Sequence, residues 1–192
     1  MTNRRTFLLS AAALGVAPLA ARANVDTTHS SPEEMRPRYV RVRDDVTPGS
    51  IHVFPNLFHL YFITAPGEAI EYHVAVGDEG RNFSGNAVIR RKAEWPSWTP
   101  TQNMIRREPE KYAKYAGGVP GGPDNPLGAR AMYLYRNGRD TMYRIHGTPQ
   151  PWTIGRAVSS GCIRLVNEDA IDLYNRVAIG ARVRVYLNDR IG

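Results

Sequence analysis

The chain has 192 residues, 42% of them hydrophobic and 22% charged, which suits one domain with a proper core. Its formal charge of +7 is mostly arginine, with lysine only at Lys92, Lys111 and Lys114, and no basic block is interleaved with aromatics as in a nucleic-acid groove. One cysteine, Cys162, cannot build a thiolate cluster, and the histidines His29, His52, His59 and His73 have no spacing that makes a metal site, so no metal or cofactor is expected.

In chain order, residues 1–23 come first. Arg4-Arg5 precede a short apolar run to Ala20 and the processing pattern Ala21-Arg22-Ala23, which predicts a twin-arginine signal peptide cleaved after Ala23. The apolar run is shorter than the roughly 20 residues that span a bilayer, so no membrane anchor is expected in the mature chain. Cleavage leaves 169 residues and, because three arginines and no acids are removed, lowers the formal charge to +4. Either attraction to an anionic wall or lipid surface or plain solvation of surface arginines accounts for that excess.

Residues 24–37 are polar and predict a flexible lead-in. Strand signals then dominate: residues 57–64, 70–76, 130–135 and 141–146 are rich in aromatic and β-branched residues, and Asn137-Gly138 predicts a hairpin turn between the last two. Residues 102–115 predict a helix broken near Pro109. The Gly- and Pro-rich stretch 117–128 reads as a loop, either a lid or a connector. Asn167 predicts an N-cap, with Glu168 and Asp169 in the first turn and Ile171, Tyr174 and Val177 on one apolar stripe. Alternation over 182–187 gives a last strand, and the sum is a mostly β domain with short helices.

The chemistry centres on Ser159-Ser160-Gly161-Cys162, sixteen residues after His146-Gly147-Thr148. A thiol becomes strongly nucleophilic once a histidine removes its proton, and a glycine before it allows a tight turn whose N–H groups converge on one oxygen. A free cysteine is equally at home as a buried apolar side chain. Export tilts the balance, because an unpaired thiol in an oxidising compartment needs a reason, and catalysis supplies one. The serines lie outside any Gly-x-Ser-x-Gly pattern, so a serine hydrolase is not expected.

The C-terminal half resembles the catalytic domain of the L,D-transpeptidases (YkuD-type), bacterial cell-wall enzymes with a cysteine nucleophile. The resemblance runs in order through Pro96-Ser97-Trp98-Thr99-Pro100, residues 125–133, Ile145-His146-Gly147-Thr148, Ile154-Gly155, residues 158–165, Asn167-Glu168-Asp169 and Asp172-Leu173-Tyr174. It implies the L,D-transpeptidase catalytic-domain fold over 38–192, an α+β arrangement of mixed β-sheets forming a sandwich-like core, with the cysteine at the base of a groove.

The same resemblance implies that Cys162 is the nucleophile, His146 its general base, and the carbonyl of Gly147 the group that orients the imidazole. The N–H groups of Ser160, Gly161 and Cys162 are then the oxyanion hole. The family's commonest motif has histidine where this chain has Ser160. Arg164 is expected to hold a stem carboxylate or, alternatively, to pair with Asp169 or Asp172. Ser159, Tyr133 and Trp152 are further candidates for contact with substrate, the two aromatics serving equally well as core.

The implied reaction is acylation of Cys162 by the third residue of a peptidoglycan stem peptide with loss of D-alanine. Transfer follows to an amine of a second stem or of a wall-anchored lipoprotein. Hydrolysis of the same acyl-enzyme, as an L,D-carboxypeptidase or amidase, is the alternative, and a non-catalytic wall-binding protein is a third reading. A periplasmic monomer without cofactor, acylated also by carbapenems, completes the expectation.

Overall fold

Period-two alternation accounts for most of the architecture. In the computed structural model, which describes residues 29–186, eleven strands form: β1 (Arg38–Arg41), β2 (Ile51–Phe54), β3 (His59–Ala65), β4 (Glu68–His73), β5 (Val76–Gly77), β6 (Gly85–Glu94), β7 (Arg130–Arg136), β8 (Arg139–His146), β9 (Ala157–Ser159), β10 (Ile163–Arg164) and β11 (Arg182–Val185). Nine make one mixed sheet in the order β1-β4-β3-β2-β11-β6-β7-β8-β10, while β5 and β9 form a separate parallel pair. Within the large sheet β11 runs parallel to β2 and β10 parallel to β8; the other pairs are antiparallel.

The mostly β, mixed-sheet fold is as expected. Its core is enclosed by one sheet that wraps round on itself. Ala75, just beyond β4, exchanges two hydrogen bonds with Arg164 on β10 (2.9 and 2.8 Å), joining segments from opposite sides of the strand order. Ile51, Leu60, Tyr72, Ile89, Met132, Leu134 and Ile145 from six different strands are consequently buried in one cluster.

The hairpin between β7 and β8 forms at Asn137-Gly138, both at positive φ (50° and 75°), as a type I′ turn requires. The predicted broken helix is α1 (Gln102–Arg107) and α2 (Pro109–Tyr112), followed by a short 3₁₀ turn. Thr101 caps α1 by accepting the Met104 N–H at 3.2 Å, and Pro109, which lacks an N–H, starts α2. The Gly- and Pro-rich loop is held by Asn125, only 1% exposed. Its amide donates to the carbonyls of Val119 (3.0 Å) and Pro120 (2.8 Å) and accepts the Leu127 N–H (2.9 Å).

Three expectations need correction. The C-terminal helix α3 (Asn167–Arg176) is capped at Val166; Asn167 lies inside it, and its side-chain oxygen instead accepts the N–H of Ala129 at 2.9 Å. The buried stripe of α3 is Val166, Ala170, Leu173 and Val177, spaced by four, three and four. Tyr174 is held at the rim by cations, with Lys92 Nζ 4.1 Å from its ring centre, and Ile171 is half-buried. The lead-in is tied down over its described part: His29 meets Asp169 at 2.8 Å, Ser30 donates to Glu168 at 2.9 Å, and Met35 packs on Ala75, Ile154 and Val166. The expected signal peptide over residues 1–23, residues 24–28 and Leu187 lie outside the described residues.

Leu173 is fully buried at the centre of the α3 stripe. Leu173→Ala is expected to destabilise the domain by about 3 kcal/mol, read as a lower urea midpoint at unchanged slope.

Candidate active site

A two-residue parallel ladder builds the site. β10 pairs with β8 as Ile163 opposite Ile145 and Arg164 opposite His146, and the Leu165 N–H donates to the His146 carbonyl at 2.8 Å. The two isoleucines point into the core. By alternation the other face carries Arg144 and His146 from β8 beside Cys162 and Arg164.

These side chains open on a groove of about 890 Å³. Its walls come from Trp98, Tyr112 and Tyr115 around α1 and α2, from Pro126 and Leu127 of the stapled loop, and from Tyr143. A larger depression of about 1080 Å³ lies over β2, β6 and β11, lined by Arg43, Arg136, Arg182 and Arg184, and reaches none of the four site residues.

The imidazole of His146 is buried, and its Nδ1 lies 2.5 Å from the carbonyl oxygen of Gly147. A carbonyl only accepts, so Nδ1 carries the proton and Nε2 keeps a free lone pair. Gly147 has to be glycine: a Cβ there would collide with the Asn167 side-chain oxygen, as it would at Gly128 on the same junction. Asn167, missed as a site residue in the sequence, thus packs the backbone that aims the histidine.

Burial is the main force on both titrating groups. It pushes His146 down to about 3, helped by the positive charge of Arg164, against the opposing pull of the Gly147 carbonyl. It pushes the Cys162 thiol up, although the main-chain N–H of Arg144 and the charges of Arg144 and Arg164 favour the thiolate. The resting pair is therefore neutral thiol with neutral imidazole. A thiolate–imidazolium pair would set two charges in a desolvated site, and the geometry gives neither enough compensation.

The turn before the cysteine is fixed by Ser159, 1% exposed, whose hydroxyl donates to the Cys162 carbonyl (2.6 Å) and accepts the Gly161 N–H (3.0 Å). Two expectations change as a result. The Ser159 hydroxyl is occupied inside the turn and is not free for a substrate, and the Gly161 N–H is already taken, which leaves those of Ser160 and Cys162 as candidate oxyanion donors. Gly161 sits at φ +129°, where a Cβ would strike the Tyr143 ring and lie 2.6 Å from the Arg81 carbonyl oxygen. The Ser160 hydroxyl, at the position of the family's usual histidine, lies 3.3 Å from the Tyr112 hydroxyl and 3.4 Å from Arg107 Nη2.

Arg164 does not form the expected ion pair. Asp169 is engaged by His29, and Asp172 by Arg176 (2.9 and 3.0 Å) and by the Tyr72 hydroxyl (2.6 Å). The Arg164 Nε is buried without a hydrogen-bond partner among the described residues. Tyr133 lines the groove but is buried, with the Arg91 and Arg144 guanidinium groups each 4.4 Å from its ring centre. Trp152 is 66% exposed on the 3₁₀ turn Pro151–Thr153 and lies outside the groove, displaced because the turn presents Gln150 and Thr153 there.

The expectation about histidines also changes. His29 faces Asp169, and His52 lies between Ser50 and Tyr186 (2.9 Å each), but His59 and His73 stand opposite each other across β3 and β4 with Glu71 beside them. Strand pairing, which linear spacing does not reveal, brings them together.

A wrapped mixed sheet with a buried histidine and an unpaired cysteine on adjacent parallel strands defines a class of thiol-containing β domain, and comparison with known proteins places it. Residues 48–185 match the YkuD family, described as the L,D-transpeptidase catalytic domain, and the chain belongs to that family. It is 39% identical over 129 residues to the Escherichia coli K12 protein named Probable L,D-transpeptidase ErfK/SrfK, covering 66% of this chain and 40% of that one. The chain thus spans less than half the length of that curated relative. A Fuscovulum blasticum relative named for the same class, ORF 5 of the ATP synthase subunits region, is 34% identical over 200 residues, covering 95% of this chain and 97% of that one. Among solved structures, a Brucella melitensis protein named Probable carnitine operon oxidoreductase caia superposes with TM-score 0.56 at 47% identity, covering 79% of this chain and 93% of that one. L,D-transpeptidase 3 from Mycobacterium tuberculosis shares the fold at TM-score 0.52 and 17% identity, covering 71% and 60% of the two chains.

The neutral resting pair has a measurable consequence. Alkylation of Cys162 by iodoacetamide, followed by intact mass from pH 4 to 10, is expected to rise once, with a midpoint above the ordinary thiol value of about 8.5. A fast plateau between pH 5 and 7 would show a preformed thiolate–imidazolium pair.

Proposed function

We propose that this chain is a peptidoglycan L,D-transpeptidase that works through an acyl-enzyme on Cys162. The observation carrying this reading is the convergence in one groove of Cys162, His146 and a half-buried Arg164 whose buried Nε has no hydrogen-bond partner among the described residues, in a chain of the L,D-transpeptidase family.

In the proposed cycle the Cys162 sulfur attacks the carbonyl of the third stem residue while His146 Nε2 takes the thiol proton. Because the resting imidazole is neutral, proton removal accompanies attack. The Ser160 and Cys162 N–H groups receive the oxyanion, each contributing about 3 kcal/mol to the transition state. His146 returns the proton to the departing D-alanine nitrogen, and a thioester remains. The side-chain amine of a second stem then attacks the thioester, expelling the Cys162 thiolate, which regains its proton through His146. The imidazolium formed part-way is a charge the empty site disfavours, and a substrate carboxylate held on Arg164 would screen the cation that depresses His146.

Arg164 offers its guanidinium to a stem carboxylate, for which forked hydrogen bonding is well suited. Tyr112 and Trp98 flank the extended peptide. An amine of a wall-anchored lipoprotein is a second acceptor for the same thioester, and water in its place makes an L,D-carboxypeptidase or amidase. The proposed setting is the periplasm, reached by the twin-arginine route and cleavage after Ala23, with the mature chain acting as a monomer and without a cofactor.

The test incubates the protein with a disaccharide-tetrapeptide muropeptide and reads products by mass spectrometry. A cross-linked dimer lacking one D-alanine, absent with Cys162→Ala, is the expected result. Tripeptide monomer alone would identify a hydrolase, and product formation by Cys162→Ala would overturn the thiol mechanism.

Two variants probe the assignments further. Arg164→Ala is expected to lower kcat/KM by roughly 10- to 100-fold, chiefly through KM, as befits a charged hydrogen bond worth about 1.5–3 kcal/mol. Ser160→Ala is expected to stay within about 10-fold of the parent, because only its main-chain N–H takes part.

A further inference from the structure

His59, Glu71 and His73 offer three ligand atoms that all lie within 4.8 Å of one another. They share one face of the β3–β4 hairpin for a simple reason: His59 pairs directly with His73, and Glu71 is two residues from His73 on the same strand, opposite Tyr61. The two imidazole rings are 4.7 Å apart between centres and nearly perpendicular (89°), so they do not stack.

The His73 Nδ1 is buried and has no hydrogen-bond partner among the described residues. A buried polar nitrogen without a partner costs on the order of 1–3 kcal/mol, and an ion at that position would remove the deficit. Glu71 Oε1 accepts from Arg38 Nε and Nη2 (2.7 Å each), the Tyr61 hydroxyl also hydrogen-bonds this carboxylate, and Oε2 lies 3.6 Å from His59 Nδ1. That separation is close to the edge, about 3.4 Å, of a tetrahedron around an ion with bonds of about 2.1 Å.

The surrounding groups resemble a support for such an ion. Arg38 fixes the carboxylate orientation from behind, and the Tyr61 hydroxyl lies 3.2 Å from His59 Nδ1, a contact that an ion bound there would replace. The Glu71 side chain is 6% exposed and that of His59 22%, so the cluster is sheltered yet open to water on the His59 side.

We propose that His59, Glu71 and His73 form a binding site for a borderline divalent ion of the zinc type, with two imidazoles and one carboxylate as ligands and water completing the shell. Nitrogen and carboxylate oxygen in that ratio suit zinc better than magnesium or calcium, which prefer oxygen alone. The site is separate from the groove, since none of its residues lines it. It would clip β3 to β4 at the β1 side of the sheet and involves no change of oxidation state.

The test uses the full chain carrying Cys162→Ala, so that the active-site thiol cannot supply a competing ligand. After removal of metal by chelator, zinc is titrated in competition with a chromophoric chelator. X-ray absorption at the zinc edge counts the imidazoles. About one equivalent of zinc with two imidazole ligands is expected, and adding His59→Asn, a half-exposed position that folding tolerates, should weaken binding at least 10-fold. Zinc should also raise the melting temperature of the Cys162→Ala protein by a few degrees and leave the His59→Asn form unmoved. The proposal is overturned if the Cys162→Ala protein takes up no zinc at about 100 µM free ion. It is equally overturned if His59→Asn binds as tightly as its parent, or if the absorption edge shows fewer than two imidazoles.

Discussion

Everything at the active site hangs on the pairing of β8 with β10. Two residue pairs suffice, because a parallel ladder fixes both level and face: once Ile145 and Ile163 enter the core, Arg144, His146, Cys162 and Arg164 must share the other side. Neither strand alone could hold this register. Arg164 is hydrogen-bonded to Ala75 on one side, and β8 to β7 on the other. Cys162 thereby inherits its position from the wrapping of the whole sheet, and a slip by one residue would exchange isoleucine for cysteine in the core.

The second theme is what burial does to charge. His146 and Cys162 share a site that favours neither imidazolium nor thiolate, with two arginines nearby that pull in opposite senses on the two groups. Arg144 has its own carboxylate, Asp140, at 2.7 Å, whereas Arg164 has none among the described residues. A carboxyl-bearing ligand would meet an unneutralised cation in a desolvated wall, where attraction is least screened. The same ligand would relax the constraint on His146, so binding and activation are coupled through one guanidinium.

Much of the fold was legible from sequence because it is written in short-range signals. Strand alternation, the Asn137-Gly138 turn and the Pro109 break each depend on a few neighbouring residues. Cys162, His146 and Gly147 were legible as a motif, and the Gly147 carbonyl stands where the family resemblance implied. Long-range pairings were not. Asn167 looked like a cap, but its oxygen is claimed by Ala129, thirty-eight residues earlier. Ser159 and Gly161 were expected to face substrate, yet they satisfy each other within the turn. The partnership of His59 with His73 and the capture of Asp169 by His29 likewise depend on which segments the folded sheet and helix bring together.

The contact between Ala75 and Arg164 also bears on how the protein behaves among other chains. A terminal strand ordinarily exposes a row of main-chain donors and acceptors that can recruit a neighbour's strand. β10 is last in the sheet order, but its outer side is covered by Ala75. The sheet's other end, β1, is four residues long and carries Arg38 and Arg41 at its two ends. The strand following Cys162 is therefore guarded by the protein's own backbone, while the opposite border carries ion pairs, Arg38 with Glu71 and Arg41 with Glu68. Within the large sheet, the edge open to a neighbour's strand is therefore the one whose charged side chains would have to be desolvated first, and not the strand that follows Cys162.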